Sequence, residues 1–157
     1  MAKFPTTAEK SVTVKAPLEQ VYALIWDVVS SARCIPGIDS CEPAGDDVYS
    51  FVMKERSAGP VSMVVRYHAR FEGNGSDTIR FRNSGGEGEN TEVDGTFKLK
   101  PTASGGTKIT LKQTVSPESP VPRLLQGFLS SYVEKEAAQV IAEYLHNLKL
   151  RIEAEGR

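Results

Sequence analysis

The sequence contains few of the residues from which metal, redox and membrane sites are built. It has two cysteines and two histidines, and His68 and His146 lie too far apart in the sequence to provide zinc-ligand spacing. No stretch approaches the roughly 18 consecutive apolar residues of a membrane-spanning helix, and residues 1–10 lack the apolar segment of a signal peptide. We therefore expect no metal site, no cofactor, no stable membrane insertion and a cytoplasmic location.

The two cysteines are predicted to remain free thiols. Cys34 and Cys41 flank a Pro-Gly turn, and disulfides are rare in the reducing compartment expected for this chain. Both side chains are small and weakly polar, so we expect them to be buried or half-buried.

Neither charge nor length indicates a nucleic-acid-binding or multidomain protein. The chain carries 19 basic and 20 acidic residues, for a net charge of -1, which provides no global field to attract nucleic acid or an anionic membrane. Its 157 residues fit one domain, residues 1–157, with a core of its own.

The C-terminal region has the pattern of one long amphipathic helix. Beyond Pro120, apolar side chains recur at three- and four-residue steps, which predicts a helix of roughly 30 residues. At about 1.5 Å per residue it spans roughly 45 Å, so we expect it to cross several strands. The predicted apolar stripe consists of Leu124, Leu125, Phe128, Tyr132, Ala137, Val140, Ile141, Tyr144, Leu145, Leu148 and Ile152.

The preceding residues show the two-residue alternation of strands, interrupted near the start by two helices. Ala16-Pro17 suits the beginning of a helix, and Ser30-Ser31 resembles the cap of a second, shorter one that stops at Ile35-Pro36-Gly37. The resulting order is β-α-α-β6-α, an α+β arrangement. The predicted strands are Glu9–Lys15, Ile38–Pro43, Val48–Ser57, Val61–Glu72, Thr78–Asn83, Thr91–Lys100 and Thr107–Val115.

This order resembles the helix-grip fold of the SRPBCC superfamily, which includes START lipid-binding domains, polyketide cyclases and coenzyme-Q-binding proteins. Four turn motifs are similar to those of the CoxG-like family, whose members are named as accessory components of carbon monoxide dehydrogenase. They are Ala16-Pro17 with Val21-Tyr22, Cys34-Ile35-Pro36-Gly37, Gly45-Asp46-Asp47-Val48-Tyr49 and Gly59-Pro60-Val61.

The resemblance implies a curved antiparallel sheet of about seven strands wrapped around the long C-terminal helix, with a cavity between them. It further implies an apolar ligand such as a quinone, a lipid or an aromatic compound. Proteins of the CoxG-like family are associated with molybdenum hydroxylases, so docking to an oxidoreductase and a possible homodimer are added expectations. Shared folds carry many functions, so the resemblance supports the fold more than the chemistry.

The predicted inward faces of the strands are mostly apolar, with a few polar exceptions. An amide or carboxylate buried without a partner costs on the order of 1–3 kcal/mol, so such groups should face a cavity or pair with one another. From these faces we predict a ligand site. Its residues are Phe51, Met53, Glu55, Met63, Tyr67, Phe81, Asn83, Phe97, Gln113, Phe128 and Tyr132.

Three further features have simpler expectations. His68 lies in an alternating cationic row and should face water on the outer side of the sheet. The glycine-rich segment 84–88 lacks a following helix, so it is interpreted as a flexible connection at the cavity mouth. Gly127 lies inside the helical pattern, where it costs about 1 kcal/mol relative to alanine, so a bend or a close approach is expected there.

Two functions fit this pattern. In the first, the cavity binds a hydrophobic small molecule, and Tyr67, Asn83, Gln113 and Tyr132 orient it through hydrogen bonds. In the second, Glu55 or a tyrosine moves a proton on a polyketide-like or aromatic substrate, as in cyclases and dehydratases. No catalytic residue can be assigned, since no motif assembles a general acid and a general base.

Overall fold

The computed structural model describes residues 2–59 and 61–155, which form a curved antiparallel sheet and a long helix. The helices are α1 (Leu18–Trp26), α2 (Val28–Ser31) and α3 (Arg123–Glu155), with a 3-10 turn at Ala32–Cys34. The strands are β1 (Ala2–Lys3), β2 (Thr6–Val14), β3 (Ile38–Gly45), β4 (Val48–Met53), β5 (Arg56–Ala58), β6 (Val61–Met63), β7 (Arg66–Gly73), β8 (Thr78–Asn83), β9 (Thr91–Pro101) and β10 (Thr107–Ser119).

Within these residues the main sheet runs in the order β3-β4-β7-β8-β9-β10, and both β1 and β2 pair with β10. Ala2 lies opposite Ser119, and Thr6 lies opposite Val115. The amide of Phe4 donates to the carbonyl of Pro117 at 3.0 Å and bridges the gap. If β1 and β2 are counted as one interrupted edge strand, the sheet is seven strands wide, and the predicted helix-grip fold is confirmed.

Helix α3 packs its buried face against the sheet along β2. The Lys149 ammonium donates to the carbonyl of Thr13 at 2.8 Å, and the amide of Lys15 donates to the Glu153 carboxylate at 3.0 Å. Deeper in the core, the ring of Tyr144 lies 6.1 Å from that of Phe97 on β9. The buried residues are Leu129, Val133, Ala137, Ile141, Tyr144, Leu145, Leu148 and Ile152.

The N-terminal part of the predicted stripe on α3 is wrong. Four-residue steps back from Ala137 lead to Val133 and Leu129, which are buried. Phe128 lies about 100° around the helix from Leu129 and is 49% exposed, while Leu124 is 95% exposed. The first turns of α3 therefore present apolar side chains to solvent.

Gly127 makes no close approach, since no atom lies within 4 Å of where its β-carbon would be. The close approach considered for it is therefore not found. Its surroundings would accept a side chain.

Two of the predicted strands are each broken. The predicted strand Val48–Ser57 leaves the sheet after Met53, and the predicted strand Val61–Glu72 rejoins it only at Arg66. Between these points β5 and β6 pair only with each other and form a separate hairpin. Gly59, with a φ of 60°, adopts the left-handed conformation needed in its turn. Pro60 of the Gly59-Pro60-Val61 motif lies outside the described residues.

Hydrogen bonds hold both arms of the hairpin where it leaves the sheet. The amide of Lys54 donates to the carbonyl of Gly37 at 2.8 Å, which continues the β3–β4 pairing by one residue beyond Ile38 and Met53. Asn90 holds the other arm, because its carboxamide donates to the carbonyl of Val64 at 2.7 Å and accepts from the amide of Arg66 at 2.9 Å. Periodicity alone does not reveal such side-chain clamps.

The short second helix begins earlier than predicted. Ser30 and Ser31 lie inside α2 instead of capping it, and the 3-10 turn then leads to the predicted stop before Pro36. The Ser31 hydroxyl donates to the carbonyls of Ile25 and Val28, each at 3.4 Å. A serine can satisfy backbone carbonyls in this way from within a helix.

The glycine-rich segment is tied to β7, and His68 does not face open solvent. The Glu89 carboxylate accepts from the His68 amide and also lies 3.1 Å from His68 Nδ1. Gly86 covers the imidazole so closely that a β-carbon would lie 2.4 Å from it. The side chains of His68 and Glu89 are only 16% and 17% exposed. Both expectations for this region are therefore corrected, because the segment folds back over the outer face of the strand.

Candidate functional site

A cavity of about 190 Å³ lies between the concave face of the sheet, α1 and α2, the β5–β6 hairpin and α3. Most of its walls are aliphatic or aromatic. The lining residues are Ile25, Val28, Ser31, Ala32, Ile35, Phe51, Met53, Lys54, Arg56, Val61, Met63, Val65, Tyr67, Ala69, Phe71, Phe81, Val93, Phe97, Leu111, Gln113, Val115, Pro117, Leu129, Tyr132, Val133, Glu136, Ala137, Val140, Ile141 and Tyr144.

Aromatic rings form one continuous wall of the cavity. The rings of Phe51 and Tyr67 stack with centroids 4.7 Å apart, and those of Phe71 and Phe81 stack at 5.3 Å. Tilted contacts continue the wall from Phe81 to Phe97 at 5.7 Å. Along each strand, residues two apart point to the same face of the sheet, and the inward residues of neighbouring strands lie side by side. The alternation in the sequence therefore produces this wall. Such a surface offers flat, polarisable contact area to a ring-containing ligand.

Gly95 on β9 allows the aromatic wall to lie directly against the sheet backbone. A β-carbon at this position would lie 2.2 Å from the Phe81 ring, so the ring rests directly on the backbone of β9. Gln113 on β10 lies opposite Gly95 in the sheet register. The Phe81 ring thus occupies the space that a side chain at residue 95 would fill, beside Gln113.

Several polar side chains interrupt the apolar lining. Tyr67, Gln113 and Tyr132 line the cavity, and none of the hydrogen bonds found among the described residues involves their side chains. Among the described residues, no side-chain nitrogen or oxygen is both fully buried and without a hydrogen-bond partner. The polar atoms of these three side chains are therefore accessible from the cavity. They are available to a ligand that carries a hydrogen-bonding group.

The two deep phenols are held in their neutral form. Burial raises the pKa of Tyr67 above its ordinary value, and burial likewise raises the pKa of Tyr144, although the nearby Ser31 hydroxyl opposes the shift. A raised pKa keeps the proton on the oxygen at physiological pH. Both groups can therefore donate a hydrogen bond, but the raised pKa makes them weaker proton donors than an ordinary tyrosine, and they are unsuited to act as phenolate bases.

Charged lining residues are confined to the cavity mouth. Arg56 on β5 and Glu136 on α3 form an ion pair of 2.5 Å between Nη1 and Oε2, with side chains 40% and 28% exposed. Lys54, which precedes β5, lines the same region. The ion pair links the hairpin to the helix across the mouth.

The structure brings eight of the predicted site residues to the cavity. They come from β4, β6, β7, β8, β9, β10 and α3, which shows that the alternation on most strands was assigned to the correct face. These residues are Phe51, Met53, Met63, Tyr67, Phe81, Phe97, Gln113 and Tyr132.

Three predicted site residues lie outside the lining. The Glu55 carboxylate accepts a hydrogen bond from the Ser62 hydroxyl at 2.6 Å on the exposed hairpin. Asn83 ends β8, where its side-chain oxygen accepts from the amide of Gly85 at 2.7 Å. Phe128 covers Gly59 at the hairpin turn. Each lies where a strand or the packed part of the helix ends, so the periodicity used to place them no longer applies.

Sequence reasoning missed lining residues from the helices and from the mouth. Ile25 and Val28 enter from the N-terminal helices, and Val133 enters from α3. Val133 lies four residues before Ala137, so the helical spacing of apolar residues indicated that it faces inward. The pairing of Arg56 with Glu136 spans 80 positions, and no local pattern indicates it.

The prediction of two free thiols is confirmed: Cys34 is buried and Cys41 is partly buried. Burial, with a smaller contribution from the Glu42 carboxylate, raises the pKa of the Cys41 thiol to about 12. Because the folded state disfavours the thiolate, the stability linked to this group is present below its ordinary pKa and is lost as pH rises toward 12.

We expect thiol labelling of a Cys34→Ser variant to keep rising about tenfold per pH unit from pH 8 to pH 10, because the thiolate is the reactive form. The rate with Ellman's reagent should be measured beside glutathione, which levels off above its own pKa. A plateau near pH 9 would contradict the shifted pKa of Cys41.

The comparisons with known sequences identify the family. Residues 5–153 match the sequence model described as polyketide cyclase / dehydrase and lipid transport. The chain belongs to this family. The polyketide cyclase/dehydrase and lipid transport family lies within the superfamily expected from the element order, whereas the nearer resemblance to the CoxG-like family is not established. No curated protein matches the sequence.

Several solved structures share the helix-grip fold of this polyketide cyclase/dehydrase family member. The protein TTHA0849 from Thermus thermophilus is similar with a TM-score of 0.77 at 21% identity, covering 96% of this chain and 99% of that one. A START superfamily protein from Mycobacterium smegmatis gives 0.70 at 17% identity, with coverages of 94% and 97%. The Zhui aromatase/cyclase from Streptomyces sp. R1128 gives 0.69 at 16%, with coverages of 98% and 96%. These likenesses establish the fold.

The described residues hold no group of histidine, cysteine, aspartate and glutamate side chains placed to bind a metal ion. Among the same residues, no helix is both long and apolar enough to span a membrane.

Proposed function

We propose that this protein binds and carries a hydrophobic small molecule in the cavity beneath α3. The observation that supports the proposal is a partly enclosed space of about 190 Å³ with aromatic walls. Protein interiors are normally close-packed, so a space of this size in the core needs a reason. Family membership supports the same function, since the family description includes lipid transport.

The size of the cavity limits the ligand. An apolar cavity of roughly 150 Å³ is able to bind benzene, and small-molecule pockets commonly measure about 300–1,000 Å³. At about 190 Å³, the space accepts a body of one or two rings. A longer lipid or polyketide requires the hairpin and α3 to move apart.

Three uncommitted polar groups give the ligand an orientation. Tyr67 and Tyr132 supply phenols, and Gln113 supplies a carboxamide that both donates and accepts. A ligand with a carbonyl or hydroxyl group would satisfy at least one of them. Each such hydrogen bond contributes about 0.5–1.5 kcal/mol.

A cyclase-like enzyme is the second candidate, favoured by the phenols of Tyr67 and Tyr144 in the cavity lining. These groups could donate hydrogen bonds to the carbonyl of an aromatic substrate as its oxygen gains negative charge, and the Zhui neighbour is an aromatase/cyclase by name. The enzyme proposal requires Tyr67→Phe to abolish turnover of a polyketide substrate. Glu55→Gln serves as the control, because Glu55 lies on the exposed hairpin.

A quinone as the ligand, homodimer formation and docking to an oxidoreductase are finer proposals. They are supported only by the turn motifs shared with the CoxG-like family.

A matched pair of ligands tests the carrier proposal. Naphthalene and 1,4-naphthoquinone have similar bodies, but only the second carries hydrogen-bond acceptors. We expect both to raise the melting temperature, and we expect Gln113→Leu to weaken naphthoquinone about three- to tenfold with little effect on naphthalene.

Gln139→Leu is the matched control, because Gln139 lies on the exposed side of α3 and donates to Glu143. If neither ligand binds, and protein from its native host carries no apolar guest in native mass spectrometry, the carrier function is refuted.

A further inference from the structure

The mouth of the cavity has a charge pattern that the proposed function does not use. Lys54, Arg56 and Glu136 are the charged side chains among the described lining residues. They lie together where the chain leaves β4 and crosses toward α3. Their arrangement bears on the chemical class of the ligand.

Gly37 lies against the backbone of Lys54 and the side chain of Arg56. The amide of Lys54 donates to its carbonyl at 2.8 Å, and a β-carbon on Gly37 would lie 2.8 Å from Arg56 Nη2. Gly37 has a φ of 77°, which favours glycine. The bare backbone thus leaves the space through which the guanidinium reaches Glu136.

The charges at this mouth do not cancel. Arg56 and Glu136 neutralise each other in their ion pair, whereas Lys54 has no ion pair among the described residues. The neighbouring Glu55 carboxylate keeps its charge, but it lies outside the cavity lining, where it accepts from the Ser62 hydroxyl at 2.6 Å. Among the lining residues at the mouth, Lys54 is therefore a cation without an ion-pair partner above an apolar interior.

This placement favours a ligand with two unlike ends. The interior offers only neutral groups, and an ionised group buried there without a partner would be strongly destabilised. At the mouth, by contrast, an anionic group meets the ammonium of Lys54 and the outer edge of the Arg56 guanidinium while remaining partly hydrated. A neutral ligand gains nothing from these cations.

We propose that the natural ligand is an amphiphile whose apolar, ring-containing body fills the cavity and whose single acidic group lies at the mouth between Lys54 and Arg56. This inference rests on the proposed binding function. It narrows the ligand class from hydrophobic molecules in general to apolar acids.

Two fluorescent probes of nearly the same shape separate this proposal from the general one. Naphthalene is neutral, and naphthalene-2-sulfonate adds one sulfonate to the same two rings. We expect the wild-type protein to bind the sulfonate more tightly and Lys54→Gln to weaken it about three- to tenfold, the range for one partly screened charge contact. The affinity of the neutral probe should stay within about twofold.

Glu136→Gln should act in the opposite direction. It removes the carboxylate that competes for Arg56, so the sulfonate should bind about threefold more tightly, and added salt should diminish that gain. Lys10→Gln is the matched control, because Lys10 is an exposed lysine outside the cavity lining. It should leave both probes unchanged.

Ala137→Phe shows whether the probes occupy the cavity, because Ala137 lines it. Loss of both probes in this variant, with the opposite effects of Lys54→Gln and Glu136→Gln on the sulfonate, supports the proposal. Unchanged sulfonate affinity in Lys54→Gln overturns it, as does sulfonate binding that survives Ala137→Phe. In those cases, cavity binding of the neutral probe would leave the carrier function standing, whereas failure of the neutral probe to bind, together with the absence of an apolar guest from native-host protein, overturns both.

Discussion

Leu148→Ala should lower the free energy of unfolding by about 2–5 kcal/mol, the range for removing a buried leucine side chain. Leu148 is 0% exposed on α3 and belongs to the core cluster that also contains Val14 and Ile109. The loss combines the transfer free energy of the removed carbons with the cavity they leave behind. Urea denaturation followed by circular dichroism provides the measurement.

Leu150→Ala is the control, since Leu150 lies on the same helix but is 56% exposed. We expect a change within about 0.5 kcal/mol. Equal destabilisation by the two substitutions would show that α3 is rotated relative to the sheet, and the assignment of its buried face would have to be abandoned.

Ala137→Phe should reduce the affinity for naphthalene by about 100-fold or more while the protein stays folded. The α-helical position points into the cavity of about 190 Å³, and a phenyl ring there takes the space of the ligand. The loss corresponds to about 2.7 kcal/mol or more of binding free energy. Fluorescence titration and a thermal melt of each variant measure both parts of the expectation.

Ala142→Phe introduces the same ring at an exposed position of α3 outside the cavity lining. It should bind the probe as the wild type does. If Ala137→Phe retains full affinity, the probe binds elsewhere, and the cavity is not the ligand site.

Local patterns predicted the inward strand faces well wherever a strand stays in the sheet. Phe51, Tyr67 and Phe81 reach the cavity as two-residue alternation requires, because the pleat directs alternate side chains to opposite faces. The same rule placed Glu55 and Asn83 inward, and there it failed. Both residues lie at points where pairing ends and the pleat no longer sets direction.

The helix shows the same division between local and non-local information. From Ala137 onward the predicted stripe matches the buried face, because packing against the sheet is continuous there. Toward the N-terminus, Leu124 and Phe128 are apolar but exposed. Composition alone does not distinguish an apolar side chain that packs from one that faces solvent.

Periodicity and composition, read over a few neighbouring residues, were enough to predict the order of strands and helices and the aromatic character of the concave face. Only the tertiary structure decided that β5 and β6 leave the sheet, that His68 lies beneath the glycine-rich segment and that Arg56 meets Glu136. These features arise from contacts between residues far apart in the chain, formed after the local elements have been set.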